Sequence, residues 1–239
     1  MTGVSDRTER KLERRASGGD VEAAAERIRL RHRRGDLPEE RLRLAAHLGD
    51  AAAVIAARDV LNVAPRKQGV GAWIRAIGKP NLKTWPEGVP WVPLVQPVCV
   101  RIAIAAAELG LSVWATPAWS EEVDAQDADT QLLASALAQA KTWLGDPRRE
   151  VADTLWNDLA SARLSGVPVE VAIELASVVC QPVSLSARSP HARERDVARS
   201  AAQVAEAAAR ALAWKRAKRE ADETLRAGIR EAVIPWLLK

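Results

Sequence analysis

The sequence has no Phe and no Tyr, one Met, and only two Cys among 239 residues. Aromatic and β-branched side chains are the strand formers, so the missing rings remove much of what a sheet requires. No stretch alternates apolar and polar residues between turn signals. Cys99 and Cys180 are too few for a disulfide framework, and no Cys-x-x-Cys occurs. His32, His47 and His191 share no metal-ligand spacing; structural histidines are expected, with no metal and no cofactor. Gly69-Val70-Gly71 lacks the strand and lysine of a phosphate loop, and no Gly-x-Ser-x-Gly elbow is present. Charge from Asp6 onward argues against a signal peptide. The most apolar run, 98–114, carries Arg101 and Glu108 and reads as too short and too charged to span a bilayer. A cytoplasmic protein with no membrane partner is the expectation.

What is abundant is alanine, with 46 residues, and tryptophan, with nine. Alanine is the best helix former. Together with 48% apolar and 28% charged residues, the balance predicts an all-α globular protein whose helices approach closely through small side chains. Leu, Ile, Val and Trp must supply the missing ring volume. Trp73, Trp114, Trp143 and Trp156 are expected to fill the core in place of Phe.

Leu12, Ala16, Gly19, Asp20 and Ala23 recur 30 residues later as Leu42, Ala46, Gly49, Asp50 and Ala53. Gly past a helix end takes the left-handed conformation freely, and the following Asp caps the next helix. The pattern predicts helices near 6–17, 21–34, 37–48 and 51–62, forming two hairpins. Asp36 and Glu39 have capping-box spacing, with Pro38 in the first turn. A short helix is expected at 69–77. Five prolines and two tryptophans, Trp85 and Trp91, then make 79–97 an irregular Pro/Trp-rich connector. Helices over 97–114 and 169–180 are apolar on nearly every side and are expected at the centre of the second half. Between them come an acidic loop (121–129) and helices at 130–144 and 147–165, with Gly166 as a stop. From Pro190 on, the apolar stripe fits one long helix or two, with a weak point at 213–221 or at Gly228, and Pro235 is expected to let the final turn fray. The domains are read as a hairpin unit (1–63), a short helix and connector (64–97) and a larger helical bundle (98–239) on which the hairpins pack.

Net charge is +4 but unevenly spread: +2 over 1–50, +4 over 51–118, −6 over 119–170 and +4 over 171–239. Glu121, Glu122, Asp124, Asp127 and Asp129 lack the spacing of a calcium loop and read as a solvated loop or a docking surface for a basic partner. Trp85 and Trp91 suit interface anchors or a strap over the helices. Trp214, Lys215, Arg216, Lys218 and Arg219 form the one compact basic cluster; on a helix, Lys215, Lys218 and Arg219 would share a face able to contact phosphates. The basic run 27–34 could assist it, although Glu220, Asp222 and Glu223 follow at once. Cys99 and Cys180 read as small core residues.

The N-terminal segments LERRASGGDVEAAA and LRLAAHLGDAAAV resemble short helical units common in proteins of GC-rich soil bacteria such as myxobacteria. The helix from Cys99-Val100-Arg101 to Ser112-Val113-Trp114, the segment Ala140-Lys141-Thr142-Trp143-Leu144 and Ile234-Pro235-Trp236-Leu237-Leu238 resemble an all-helical family of immunity-type proteins. The chain departs from that pattern at Asp127-Ala128-Asp129-Thr130, where acids followed by Pro and Arg are the rule. The resemblance implies an all-helical fold and recognition of a protein partner. The leading reading is therefore a non-enzymatic scaffold or binding module, immunity-like in character. A nucleic-acid-binding protein using 214–219 is the alternative, and an enzyme assembled from acids in 121–158 is a third.

Overall fold

A computed structural model describes residues 3–58, 69–78, 92–116, 123–160, 166–184, 190–214 and 216–239. The fold is all-α, with eleven helices and no strand among the described residues: α1 (Gly3–Ser17), α2 (Val21–Arg34), α3 (Glu39–Leu48), α4 (Ala51–Ala56), α5 (Val70–Arg75), α6 (Val92–Trp114), α7 (Val123–Gly145), α8 (Arg149–Ala160), α9 (Val167–Ser184), α10 (Pro190–Ala213) and α11 (Lys218–Leu237). A single 3-10 turn, Ala76–Gly78, extends α5. The chain forms two compact units. One comprises Met1–Lys67, Leu82–Val89 and Val233–Lys239, the other Gln68–Asn81 and Pro90–Ala232. The last turn of the chain thus belongs with the N-terminal helices, not with the bundle expected over 98–239.

In the first unit, α1 packs on α2, α2 on α4 and α3 on α4. The junctions after α1 and α3 are built alike. Gly19 and Gly49 have φ of +88° and +87°, where a side chain would be strained. The Asp20 and Asp50 N–H groups reach back to Arg15 O and Ala45 O at 3.1 and 3.0 Å. Their carboxylates accept from Ala23 N at 3.0 Å and Ala53 N at 2.7 Å, serving donors that α2 and α4 cannot satisfy internally. The α3 start differs from expectation. Pro38 is itself the N-cap and no side chain caps the helix, so Asp36 forms no capping box. Helix α4 stops at Ala56, and 59–62 lie outside the described residues.

The core of the second unit is α6 against α10, the most extensive helix pairing among the described residues, flanked by α9 and α7. From α10, Ala198, Ala201, Ala202, Ala205 and Ala208 are fully buried, as are Val98, Ile102, Ala103 and Ala106 of α6. Trp73, Trp114 and Trp143 are buried, in the filling role expected of them. Where a bulky group must enter, glycine makes the room. The Trp114 ring lies where a Gly110 Cβ would stand, at 2.3 Å, and Leu109 Cδ1 approaches the Gly228 position at 2.7 Å. Gly228 is therefore a packing notch inside an unbroken α11, and the break falls at 214–217 instead.

Three further boundaries depart from the sequence reading. Helix α6 begins at Val92, so Pro93 and Pro97 lie inside it. First-turn N–H groups have no intrahelical acceptor, which makes Pro93 harmless, and Pro97 removes one bond. The longer helix also corrects the bilayer reading: Leu94–Trp114 has the length and mean hydropathy, 1.6, of a membrane span. Its apolar surface is covered by α7, α9 and α10, as befits a core helix. The stretch expected as an acidic loop is helical from Val123, since carboxylates in a first turn face the positive end of the helix dipole. Helix α11 runs through Pro235 to Leu237 without fraying.

One polar contact fixes α6 to α9. Val178 O would accept from the N–H of residue 182, but Pro182 has none. Gln96 supplies the missing donor: its Nε2 lies 3.2 Å from Val178 O and 2.9 Å from Val179 O. Replacing Gln96 with Leu keeps the bulk and orphans a carbonyl, which costs about 1–3 kcal/mol; the urea midpoint should fall with an unchanged m value. A second outcome concerns Asp20. The Ala23 N–H, then the Arg15 guanidinium, hold its carboxyl below the ordinary 3.8. A depressed folded pKa contributes stability above the unfolded value that is lost as the pH falls through the folded one. The Asp20→Asn protein, which retains a cap, should show a flatter acid limb below about pH 4 when helicity is followed by circular dichroism.

Candidate functional site

Helices α7 and α8 pack on each other and α8 on α9. Helix α8 buries Ala152, Leu155 and Leu159, a stripe at 3 and 4 spacing that leaves Trp156 off its edge. Trp156 is 49% exposed, which corrects its expected place in the core. The described cations of α7, α8 and the turn between them are already engaged. Lys141 pairs with Glu108 at 2.5 Å, Arg148 with Asp146 at 2.7 Å and Arg149 with Asp153 at 3.3 Å. Asp158 accepts from Gln139 Nε2 at 2.6 Å. Asp127 and Glu150 are exposed and have no such partner among the described residues. Asp129 is half-buried, with Oδ2 2.6 Å from where a Gly166 Cβ would stand, and burial pushes its carboxyl up. The outcome is an acidic helical face with one large exposed ring.

Of the anticipated acidic set, Asp127 and Asp129 are on α7, two residues apart and so on different sides of the helix: Asp127 is exposed and Asp129 is turned toward Gly166. Glu121, Glu122 and the side chain of Asp124 lie outside the described residues, as do Trp85 and Trp91. Among the described residues no three His, Cys, Asp or Glu side chains converge on one point. Asp127, Asp146, Glu150, Asp153 and Asp158 are all exposed, and Asp129 is the one half-buried carboxylate among the described acids of 121–158.

The basic cluster is not a helical face. Residues 214–217 separate α10 from α11, and Lys215 lies outside the described residues. Trp214 is 64% exposed. Arg216 Nη1 donates to Thr224 Oγ1 at 3.0 Å and lies 3.8 Å from Glu220, while Arg219 pairs with Glu223 at 2.9 Å. That leaves Lys218 as the exposed cation without a partner in the described part of the cluster. Most of the run 27–34 is similarly committed in the first unit, Arg33 being exposed without a partner among the described residues. Arg27 pairs with Glu13 at 2.9 Å and Arg34 with Glu9 at 2.6 Å. Arg29 donates to Ile55 O at 2.8 Å. Arg31 donates to Leu238 O and, at 2.6 Å, to Lys239 O. His32 Nδ1 donates to Leu37 O at 2.9 Å, a structural role like the one expected.

A third feature was not visible in the sequence. Helices α9 and α10 enclose an open groove of about 450 Å³. Buried Val171, Val204 and Ala207 form its floor, and Glu170, Glu174 and Arg210 stand on its rim. Glu206 also borders it but is held from outside. Its Oε1 accepts from Arg75 Nη2 at 2.7 Å and occupies the space where a Gly71 Cβ would be, at 1.7 Å. No local sequence signal links positions 71, 75 and 206.

Neither thiol is set up to react. Cys99 is fully buried, and burial drives its pKa far above the ordinary range. Cys180 is half-buried, donates to Ala152 O at 3.1 Å, and is pushed up to about 11 by burial and then by the Asp153 carboxylate. Since the thiolate is the nucleophile, Ellman's reagent at pH 8 should find no fast-reacting thiol in the folded protein and two after denaturation.

No family model matches the chain, and no curated protein or solved structure shows significant similarity to it.

Proposed function

We propose that this chain is a non-enzymatic helical binding module that recognises a basic protein partner through the α7–α8 face. The observation that carries this reading is Trp156, half-exposed on α8, in a helix pair whose described cations are already paired while Asp127 and Glu150 have no partner among the described residues. Trp is enriched among interface anchors, and free carboxylates on the same helix pair select a partner of opposite charge and speed its approach. The resemblance of α6, the end of α7 and the end of α11 to immunity-type proteins supports the same class of function, and a cytoplasmic setting goes with it. Against the nucleic-acid alternative stands the engagement of Arg27, Arg29, Arg31, Arg34, Arg216 and Arg219 with internal partners, because phosphate binding requires a concentrated free basic face.

The test is capture from an extract of the source organism on the immobilised protein, with and without nuclease, beside Trp156→Ala and Asp127→Lys/Glu150→Lys. A protein retained by the native chain should be released by either variant. With that protein purified, Trp156→Ala should weaken binding by about 2 kcal/mol, some 30-fold. Retention indifferent to both variants, or abolished by nuclease, would overturn the reading.

A further inference from the structure

The α9–α10 groove is a second docking surface on the same unit, distinct from the α7–α8 face. Its floor is apolar: Val171, Val204 and Ala207 are buried, and Ile173 is half-buried. A long basic side chain suits such a floor, since Lys and Arg lay their methylenes on apolar surface while the charged head stays at the rim. At that rim Glu170 and Glu174 are one helical turn apart on α9, and neither has an ion-pair or hydrogen-bond partner among the described residues. The groove is also open, with Glu170, Gln203 and Arg210 all exposed, so it cannot enclose most of a small ligand as a typical small-molecule site does.

The remaining charges sharpen the specificity. Arg75 neutralises Glu206 and draws it over Gly71, leaving Glu170 and Glu174 as the carboxylates available to a ligand. Arg210 is exposed, has no ion pair among the described residues, and is the cation that lines the groove. It would repel a uniformly basic strand and favour a segment in which a basic residue alternates with apolar or acidic ones. We infer that the groove between α9 and α10 binds an Arg- or Lys-bearing peptide segment of a protein partner, the cation held by Glu170 and Glu174 and its stem by Val171, Val204 and Ala207.

The experiment is fluorescence anisotropy with the full chain and a labelled short peptide of alternating Arg and Leu, with the same peptide carrying Glu for Arg as control. The Arg peptide should bind and the Glu peptide should not. Glu170→Lys/Glu174→Lys should weaken binding at least about tenfold, and the effect should shrink as salt is raised. The Asp127→Lys/Glu150→Lys protein separates this groove from the α7–α8 face, and the binding that it retains is the share the groove supplies. Circular dichroism of both variants establishes that each is folded; the four positions are on helix surfaces. No binding of the Arg peptide, equal binding of the two peptides, or sensitivity to Asp127 and Glu150 in place of Glu170 and Glu174 would each overturn the groove assignment. The last result would leave the α7–α8 reading standing, and the others do not bear on it.

Discussion

Close approach of α6 to α10 is the constraint on which the second unit depends. Alanine faces on both helices allow it, and the same choice limits what each contact can contribute, because a buried methyl removes little surface from water. Two features offset this. Alanine loses no side-chain entropy on ordering, and it favours the helix in which it sits. The large apolar groups are then confined to a few places, each with a matching notch. Trp114 folds onto Gly110, and Leu109 enters α11 at Gly228. With no Phe or Tyr to spread volume evenly, shape is carried by a few Trp and Leu residues set against glycine, and overpacking at those glycines has nowhere to relax.

The prolines follow from the same close packing. A proline inside a helix leaves a carbonyl without its donor, and in a tightly packed interior water cannot replace it. The orphan at Val178 is met by Gln96 from the neighbouring helix. The polar link between α6 and α9 is thus a consequence of Pro182, and it fixes the register of two helices whose apolar surfaces would otherwise tolerate sliding.

Much of the fold is written locally and was legible. Gly19-Asp20 and Gly49-Asp50 mark helix junctions by backbone chemistry that needs no tertiary context, and the all-round apolar character of 98–114 marks a central helix. What failed was any inference in which a distant partner decides. Pro93 and Pro97 read as breakers because position within the helix was unknown. The stretch from Val123 read as a loop because charge density outweighed helix-dipole placement. Trp156 read as core by residue type, and its place one turn after Ala152 fits the buried stripe as well; only the packing of α8 shows that it lies at the stripe's exposed edge. The groove was illegible, since it is formed between two helices, and Glu206 on its border is held by Arg75, 131 residues away in the chain. Glu121, Glu122, Trp85 and Trp91 remain as sequence readings alone.

The surface chemistry is best understood as what internal pairing leaves over. The chain carries more basic than acidic residues, and on composition alone an acidic ligand would be the natural partner. Pairing reverses that expectation. Arginines of α2 hold α1, α4 and the end of the chain within the first unit, and those after α10 close on their own helix. The carboxylates of α7, α8 and α9 outnumber the cations beside them, so Asp127, Glu150, Glu170 and Glu174 keep their charge facing solvent. Exposed single charges contribute little to stability, so these positions are free to serve recognition. Net charge therefore misleads about partners where one sign is concentrated in structural contacts, and on α7 and α8 the free sign among the described side chains is negative.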